Sequence, residues 1–166
     1  MIHKVEANEI SEDNALCLNQ NVGDLIFSIQ STVGGIAVGS LTAVIRSEIT
    51  VQLSDVEVSN AVDTSCVPFL RYVRKWKPRF GMTSFRGRNI GTKMLVCFLD
   101  WCRANGKIEV FGTVVQEDLN ETPDLLGWYQ RHGFEVRPPD DRCLRNAVCM
   151  IVWRNYDLHS SGGSES

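Results

Sequence analysis

The chain has 166 residues, 43% of them hydrophobic and 22% charged, with 13 glycines and 5 prolines. That is the length and make-up of one ordinary globular domain, and it excludes collagen-like, proline-rich and low-complexity chains. The formal net charge is −3 but unevenly spread: residues 1–60 carry −6, residues 61–93 carry +7 with Asp63 as their sole acid, and residues 94–166 carry −4. A compact positive block in an acidic chain points either to an anionic ligand or to a solvated helical face.

No apolar run approaches the roughly 20 residues a membrane helix needs. The opening Met1-Ile2-His3-Lys4-Val5-Glu6 has no apolar stretch of signal-peptide length, so a cytoplasmic protein without membrane association is expected. The six cysteines (Cys17, Cys66, Cys97, Cys102, Cys143 and Cys149) form no Cys-x-x-Cys pair, and the three histidines are scattered. No metal site is expected from such spacing, and the thiols read as buried and reduced.

In chain order, residues 24–32 alternate as a strand, Gly34-Gly35 marks a turn, and 36–46 reads as a second strand forming a hairpin with the first. Residues 48–59 predict a third strand with a slip in phase. Ile49, Val51 and Leu53 are apolar at odd positions, Val56 and Val58 at even ones. Either both faces are buried there, or an extra residue near Ser54-Asp55 makes a β-bulge. The bulge leaves Asp55 and Glu57 outside the apolar set.

A basic and aromatic insertion follows at 61–84, broken by Pro68 and Pro78. Between those prolines Phe69, Tyr72, Val73 and Trp76 have helical spacing beside Arg71, Arg74, Lys75 and Lys77, which predicts a short basic amphipathic helix. Ile90, Met94, Leu95, Phe98, Trp101 and Cys102 form a stripe of period 3.6, predicting a helix to about Ala104 closed by Asn105-Gly106. Residues 107–115 read as a strand, parallel to the third because a crossover helix joins them. Residues 116–122 read as a polar loop. A helix starting at Pro123, capped by Thr122, runs to His132 and stops at Gly133. Short strands at 134–136 and 147–153 flank the turn Pro138-Pro139-Asp140-Asp141, and 159–166 is a disordered tail. One domain over 1–158 accounts for these elements, and no internal repeat is present.

The segment Arg86-Gly87-Arg88-Asn89-Ile90-Gly91-Thr92 opens the longest helix. Glycine lets backbone amides approach an anion, the helix N-terminus adds donors and partial positive charge, and two arginines add full charge. This is the chemistry of a pyrophosphate cradle or, more plainly, of an ordinary tight turn. The segment lacks the Gly-Lys-Ser/Thr ending of a nucleotide P-loop and the three-glycine dinucleotide fingerprint.

The same segment resembles the acetyl-coenzyme A motif of the GNAT N-acetyltransferases, Arg/Gln-x-x-Gly-x-Gly/Ala at the head of a helix. At the right distance Gly127-Trp128-Tyr129-Gln130-Arg131-His132-Gly133-Phe134-Glu135 is similar to that family's Leu-Tyr-x-Arg-x-Gly-Phe ending. The resemblance covers about residues 36–136. It implies an α+β fold: a mixed, mostly antiparallel sheet of six or seven strands flanked by helices, with a splayed parallel pair that admits acetyl-coenzyme A. It makes Arg86, Gly87, Arg88, Asn89, Ile90, Gly91 and Thr92 the cofactor-binding loop, with the pyrophosphate on the amides of about Arg88 to Thr92, and places the pantetheine arm against the backbone of Val56 and Val58.

Asn89 stands where the family has its first glycine, and asparagine tolerates left-handed φ. Thr122 stands where the family often has a cofactor-contacting asparagine. Where the family places two helices before its second strand, residues 7–23 leave room for one short helix. The insertion is longer than the family's loop.

The implied reaction is transfer of an acetyl group from acetyl-coenzyme A to a primary amine of a small molecule or protein, by direct attack on the thioester. The amine, with a pKa of about 10.4, must lose a proton, and an acid near the sulfur assists departure of the thiolate. Tyr129 is the candidate acid, Glu57 the candidate base with Asp55 as substitute, and a backbone amide near Val58 the oxyanion donor. His132 reads as a helix cap. Three further readings stay open: a non-catalytic acetyl-coenzyme A-binding regulator, nucleic-acid binding through residues 69–80, and pairing as a homodimer, as many relatives do.

Overall fold

The computed structural model describes residues 3–5, 16–33, 36–58 and 89–156. The insertion at 61–84, Arg86, Gly87 and Arg88, the Gly34-Gly35 turn and the tail at 159–166 lie outside the described residues.

Period-two alternation sets most of the strands. After β1 (His3–Val5), β2 (Leu16–Val22) turns Leu16, Leu18 and Val22 inward and Cys17, Asn19 and Asn21 outward. The sequence left room for one short helix within residues 7–23. The apolar positions of β2 recur every second residue, and asparagine is a poor helix former. β3 (Ile26–Val33), β4 (Ile36–Ile45) and β5 (Thr50–Val58) follow. α1 (Ile90–Ala104) then leads into β6 (Glu109–Val115). Two short helices, α2 (Gln116–Glu121) and α3 (Leu125–Arg131), precede β7 (Glu135–Arg137) and β8 (Ala147–Arg154).

The strands form one eight-stranded sheet in the order β1-β2-β3-β4-β5-β6-β8-β7, one strand beyond the expected number when the three-residue β1 is counted. β5 and β6 run parallel, while β6 with β8 and β7 with β8 run antiparallel. The mixed sheet with a parallel pair and flanking helices is the fold class the sequence implied.

Two local expectations are corrected. Residues 116–121 form a helix rather than a loop. They carry one apolar side chain, Leu119, so no hydrophobic period marks them. The helix is held by the Asp118 carboxylate, which accepts the Val115 N–H at 3.0 Å, and by Gln116 donating to Asn120 at 3.0 Å. The next helix begins at Leu125, not Pro123, and Thr122 is not its N-cap. Thr122 ends α2, its N–H donating to the Asp118 carbonyl and its carbonyl accepting the Leu125 N–H. Pro123 shapes the turn between the two helices.

The described residues fall into two compact units. The first takes in 3–5, 16–22, 28–33, 36–41, 56–58 and 89–95, the second 23–27, 42–55 and 96–156. The first buries Ile29, Val38, Leu41, Ile90, Met94 and Leu95. In it a Cβ at Gly39 would lie 2.8 Å from the Glu57 carbonyl oxygen and 2.9 Å from Ser31 Oγ, so only glycine permits this approach of β4 to its neighbours.

The second unit is centred on Phe27, Val51, Leu53, Phe98, Val110, Ile151 and Trp153, with the Phe27 ring 5.1 Å from Phe98 and 4.6 Å from Trp101. Lys107, largely buried, donates to the Glu48 carbonyl at 2.7 Å and lies over the Trp101 ring, tying the β4–β5 turn to the end of α1. From the loop between β7 and β8, Arg142 donates to Glu109 of β6 at 2.7 Å and to Asp140 at 2.8 Å while its guanidinium covers the Phe111 ring. Of the cysteines read as buried, Cys102 and Cys149 are buried, Cys97 and Cys143 are half-buried and Cys17 is exposed, while Cys66 lies outside the described residues.

Candidate active site

At the head of α1, Asn89 has φ +58° and its carbonyl accepts the Lys93 N–H at 2.9 Å. It therefore acts as the N-cap residue in a left-handed conformation, which costs an asparagine less than most residues. A left-handed residue followed by a right-handed one turns successive amides toward a common point, a concavity that suits an anion. Ile90 is buried, Gly91 and Thr92 are half-buried and Lys93 is exposed. In the same unit Val56 and Val58 are half-buried, and Glu57 directs its side chain to solvent.

The parallel pair has a short register. Thr50, Val51, Gln52 and Leu53 pair with Glu109, Val110, Phe111 and Gly112, and the pairing ends there although β5 runs on to Val58 and β6 to Val115. Exposure along β5 changes phase at the same place: Val51 and Leu53 are buried, Ser54 and Asp55 are both exposed, and Val56 and Val58 turn inward again. The slip read from the sequence is thus present, and it coincides with the parting of the two strands.

Tyr129 is 7% exposed. Its place follows from how α3 ends. Gly133, at φ +85°, donates to the Gln130 carbonyl, and Phe134 donates to the Tyr129 carbonyl at 3.1 Å, a Schellman ending. That turn sets the Phe134 ring edge-on to Tyr129 at 5.3 Å, and Trp128 packs at 4.8 Å. Burial pushes the phenol well above its ordinary range, and the carboxylates of Asp118 and Asp55 push the same way. Tyr129 therefore stays protonated through any physiological pH, the form that donates a hydrogen bond. His132 ends α3 as expected, its Nδ1–H donating to the Trp128 carbonyl at 2.7 Å.

The candidates thus divide. Asn89, Ile90, Gly91, Thr92, Val56, Val58 and Glu57 belong to the first unit, and Tyr129, Asp55 and Thr122 to the second, where Tyr129 and Asp55 come within electrostatic reach of each other. Sequence reasoning missed Asp118. The available signal was its place three residues after the strand-ending Val115, where a carboxylate returns to an open backbone amide. Among the described residues, no group of three or more His, Cys, Asp and Glu side chains is placed to hold a metal ion, and no helix is long and apolar enough to cross a membrane.

A mixed sheet whose two parallel members pair for four residues and then part, with a helix between them headed by an open amide turn, is the acyl-coenzyme A N-acyltransferase fold of the GNAT acetyltransferases. Solved structures agree with this assignment. The chain is similar to the PaiA N-acetyltransferase of Thermoplasma acidophilum, solved with coenzyme A, at 12% identity and TM-score 0.53 over 79% of this chain and 62% of that one. The match thus spans less than two thirds of the Thermoplasma protein. It is similar to a GNAT family acetyltransferase of Elizabethkingia anophelis with acetyl-CoA bound, at 10% identity and TM-score 0.52 over 93% and 97% of the two chains. An acetyltransferase of Streptococcus agalactiae matches at 12% identity and TM-score 0.53 over 78% and 67%. No protein-family description and no curated protein matches the sequence.

Proposed function

We propose that the chain is an acetyl-coenzyme A-dependent N-acetyltransferase that moves an acetyl group to a primary amine by direct attack on the thioester. The observation that carries the reading is the left-handed Asn89 at the head of α1. The family-like loop keeps its glycine conformation without its glycine, which is unnecessary for an ordinary helix start. The early parting of β5 from β6 and the likeness to coenzyme A-bound acetyltransferases support it.

Acetyl-coenzyme A supplies the activated acyl group. The amides of Ile90 and Gly91 bind a phosphate oxygen, and Arg86 and Arg88 add charge from positions outside the described residues. The backbone of Val56 and Val58, unpaired with β6, receives the pantetheine arm. Glu57 or Asp55 accepts the proton of the incoming amine, directly or through water. Tyr129 donates a hydrogen bond to the departing sulfur. Because its phenol stays neutral at high pH, the rate rises with pH as the amine deprotonates toward about pH 10, with no falling limb from this residue.

Calorimetry with coenzyme A and acetyl-coenzyme A, alongside thiol release with a panel of amines, tests the proposal. Binding followed by amine-dependent thiol release supports it. Binding without release from any amine would instead assign a non-catalytic acetyl-coenzyme A-binding protein, and absence of binding rejects both. Tyr129→Phe should lower kcat by about 10²-fold or more while coenzyme A affinity holds.

A further inference from the structure

We infer that Thr113 positions the amino group of the acyl acceptor, acting with the Asp55 carboxylate; the inference rests on the acetyltransferase reading. Thr113 is the first residue of β6 beyond the last pair with β5, Leu53 with Gly112. Its Oγ1 is buried and has no hydrogen-bond partner among the described residues. A buried hydroxyl without a partner is unfavourable, and here it falls where two strands part rather than in a closed core.

The register gives its side. Phe111 pairs with Gln52, and Thr113, two residues on, shares the face of Phe111 and Val115. The opposite face carries Val110, whose β8 partner Trp153 lies under Arg103 of α1. Ser54, two residues beyond Gln52, continues Thr113's side, and Asp55 follows it, exposed, at the point where the phase slips. Asp55 is also close enough for its charge to act on Tyr129. A hydroxyl oxygen with free lone pairs and a carboxylate beside the parted strands suit a primary amine. One N–H donates to Thr113 Oγ1 and another to Asp55, leaving the nitrogen lone pair for the thioester carbon. A carbonyl ligand would gain nothing from the carboxylate.

The test uses the full chain and its Thr113→Val, Thr113→Ser and Asp55→Asn variants, saturated with acetyl-coenzyme A. Thiol release is measured with straight-chain primary amines from propylamine to hexylamine. Thr113→Val should raise the amine KM about tenfold, with kcat within about twofold and the KM for acetyl-coenzyme A unchanged. Thr113→Ser should restore the wild-type amine KM, and Asp55→Asn should raise it. In ligand-free protein Thr113→Val should melt no lower than wild type, because it removes an unpaired hydroxyl. An unchanged amine KM in Thr113→Val overturns the inference. So does an equal rise in Thr113→Ser, a clearly lower ligand-free melting temperature for Thr113→Val, or no turnover with any of these amines in protein that binds coenzyme A. Wild-type protein that binds neither coenzyme A nor its acetyl form would instead remove the acetyltransferase reading itself.

Discussion

Tyr129 owes its position to the last turn of its own helix. Gly133 adopts left-handed φ, the chain reverses, and Phe134 returns onto the phenol ring. The Gly-Phe pair in the sequence is therefore a capping device that also fixes the tyrosine ring. Burial raises the folded pKa of Tyr129 above the value of about 10 it has when unfolded. Its contribution to stability is thus fully present below pH 10 and is lost as pH rises through the folded value, at about 1.4 kcal/mol per pH unit. Unfolding free energies measured between pH 9 and 11.5 should show this loss, and Tyr129→Phe should remove one proton's worth of slope. At Asn89 the same left-handed backbone predicts opposite outcomes for two substitutions. Asn89→Gly should leave stability nearly unchanged, whereas Asn89→Val should cost about 1–2 kcal/mol in denaturant melts. Thiol labelling separates the cysteines in a third way. Burial pushes Cys102 up to about 12, so brief alkylation at pH 8 followed by peptide mass spectrometry should find label on exposed Cys17 and leave Cys102 unmodified.

Among the elements, α1 and β4 carry the clearest constraints. α1 is closed by Asn105 and Gly106, with the Lys107 N–H reaching the Cys102 carbonyl at 2.8 Å, so its length is set by the same Schellman ending that closes α3. β4 meets β5 through Gly39, where the Glu57 carbonyl occupies the space of a side chain. Because Ser31 Oγ also donates to the Gly39 carbonyl at 3.1 Å, the neighbours have little room to yield. Gly39→Ala should destabilise the protein by about 1–3 kcal/mol in chemical denaturation, and on the proposed function it should weaken coenzyme A binding, since the strand it displaces is the one proposed to receive the pantetheine arm.

For the molecule as a whole, the parted strands and the open turn at α1 imply a ligand that binds the folded chain and not the unfolded one. Coenzyme A at 100 times its Kd should add about 2.7 kcal/mol of stability, a rise in melting temperature of roughly 5–10 °C for a chain of this size. The same addition should do less for Asn89→Val, whose amides no longer converge. Scanning calorimetry with and without coenzyme A measures both.

Local order was legible from residue pattern. The period-3.6 stripe gave α1 its span, Asn105-Gly106 and Gly133 gave two helix ends, and the odd-to-even slip between Leu53 and Val56 marked the place where β5 leaves β6. Each depends on neighbours within a few residues, which is the range over which backbone geometry and hydrophobic period act. Other features escaped because their cause is distant in sequence or weak in pattern. β2 depends on a sheet partner, α2 on a single returning carboxylate with no apolar stripe, and the orphaned hydroxyl of Thr113 on where a strand about sixty residues earlier in the chain stops pairing with β6. Residue order alone was enough to say which segments could be helix or strand and which loop could hold a diphosphate. The tertiary structure decided which backbone and hydroxyl groups go unpaired, because a hydrogen bond left unmade depends on which strands meet and where they part.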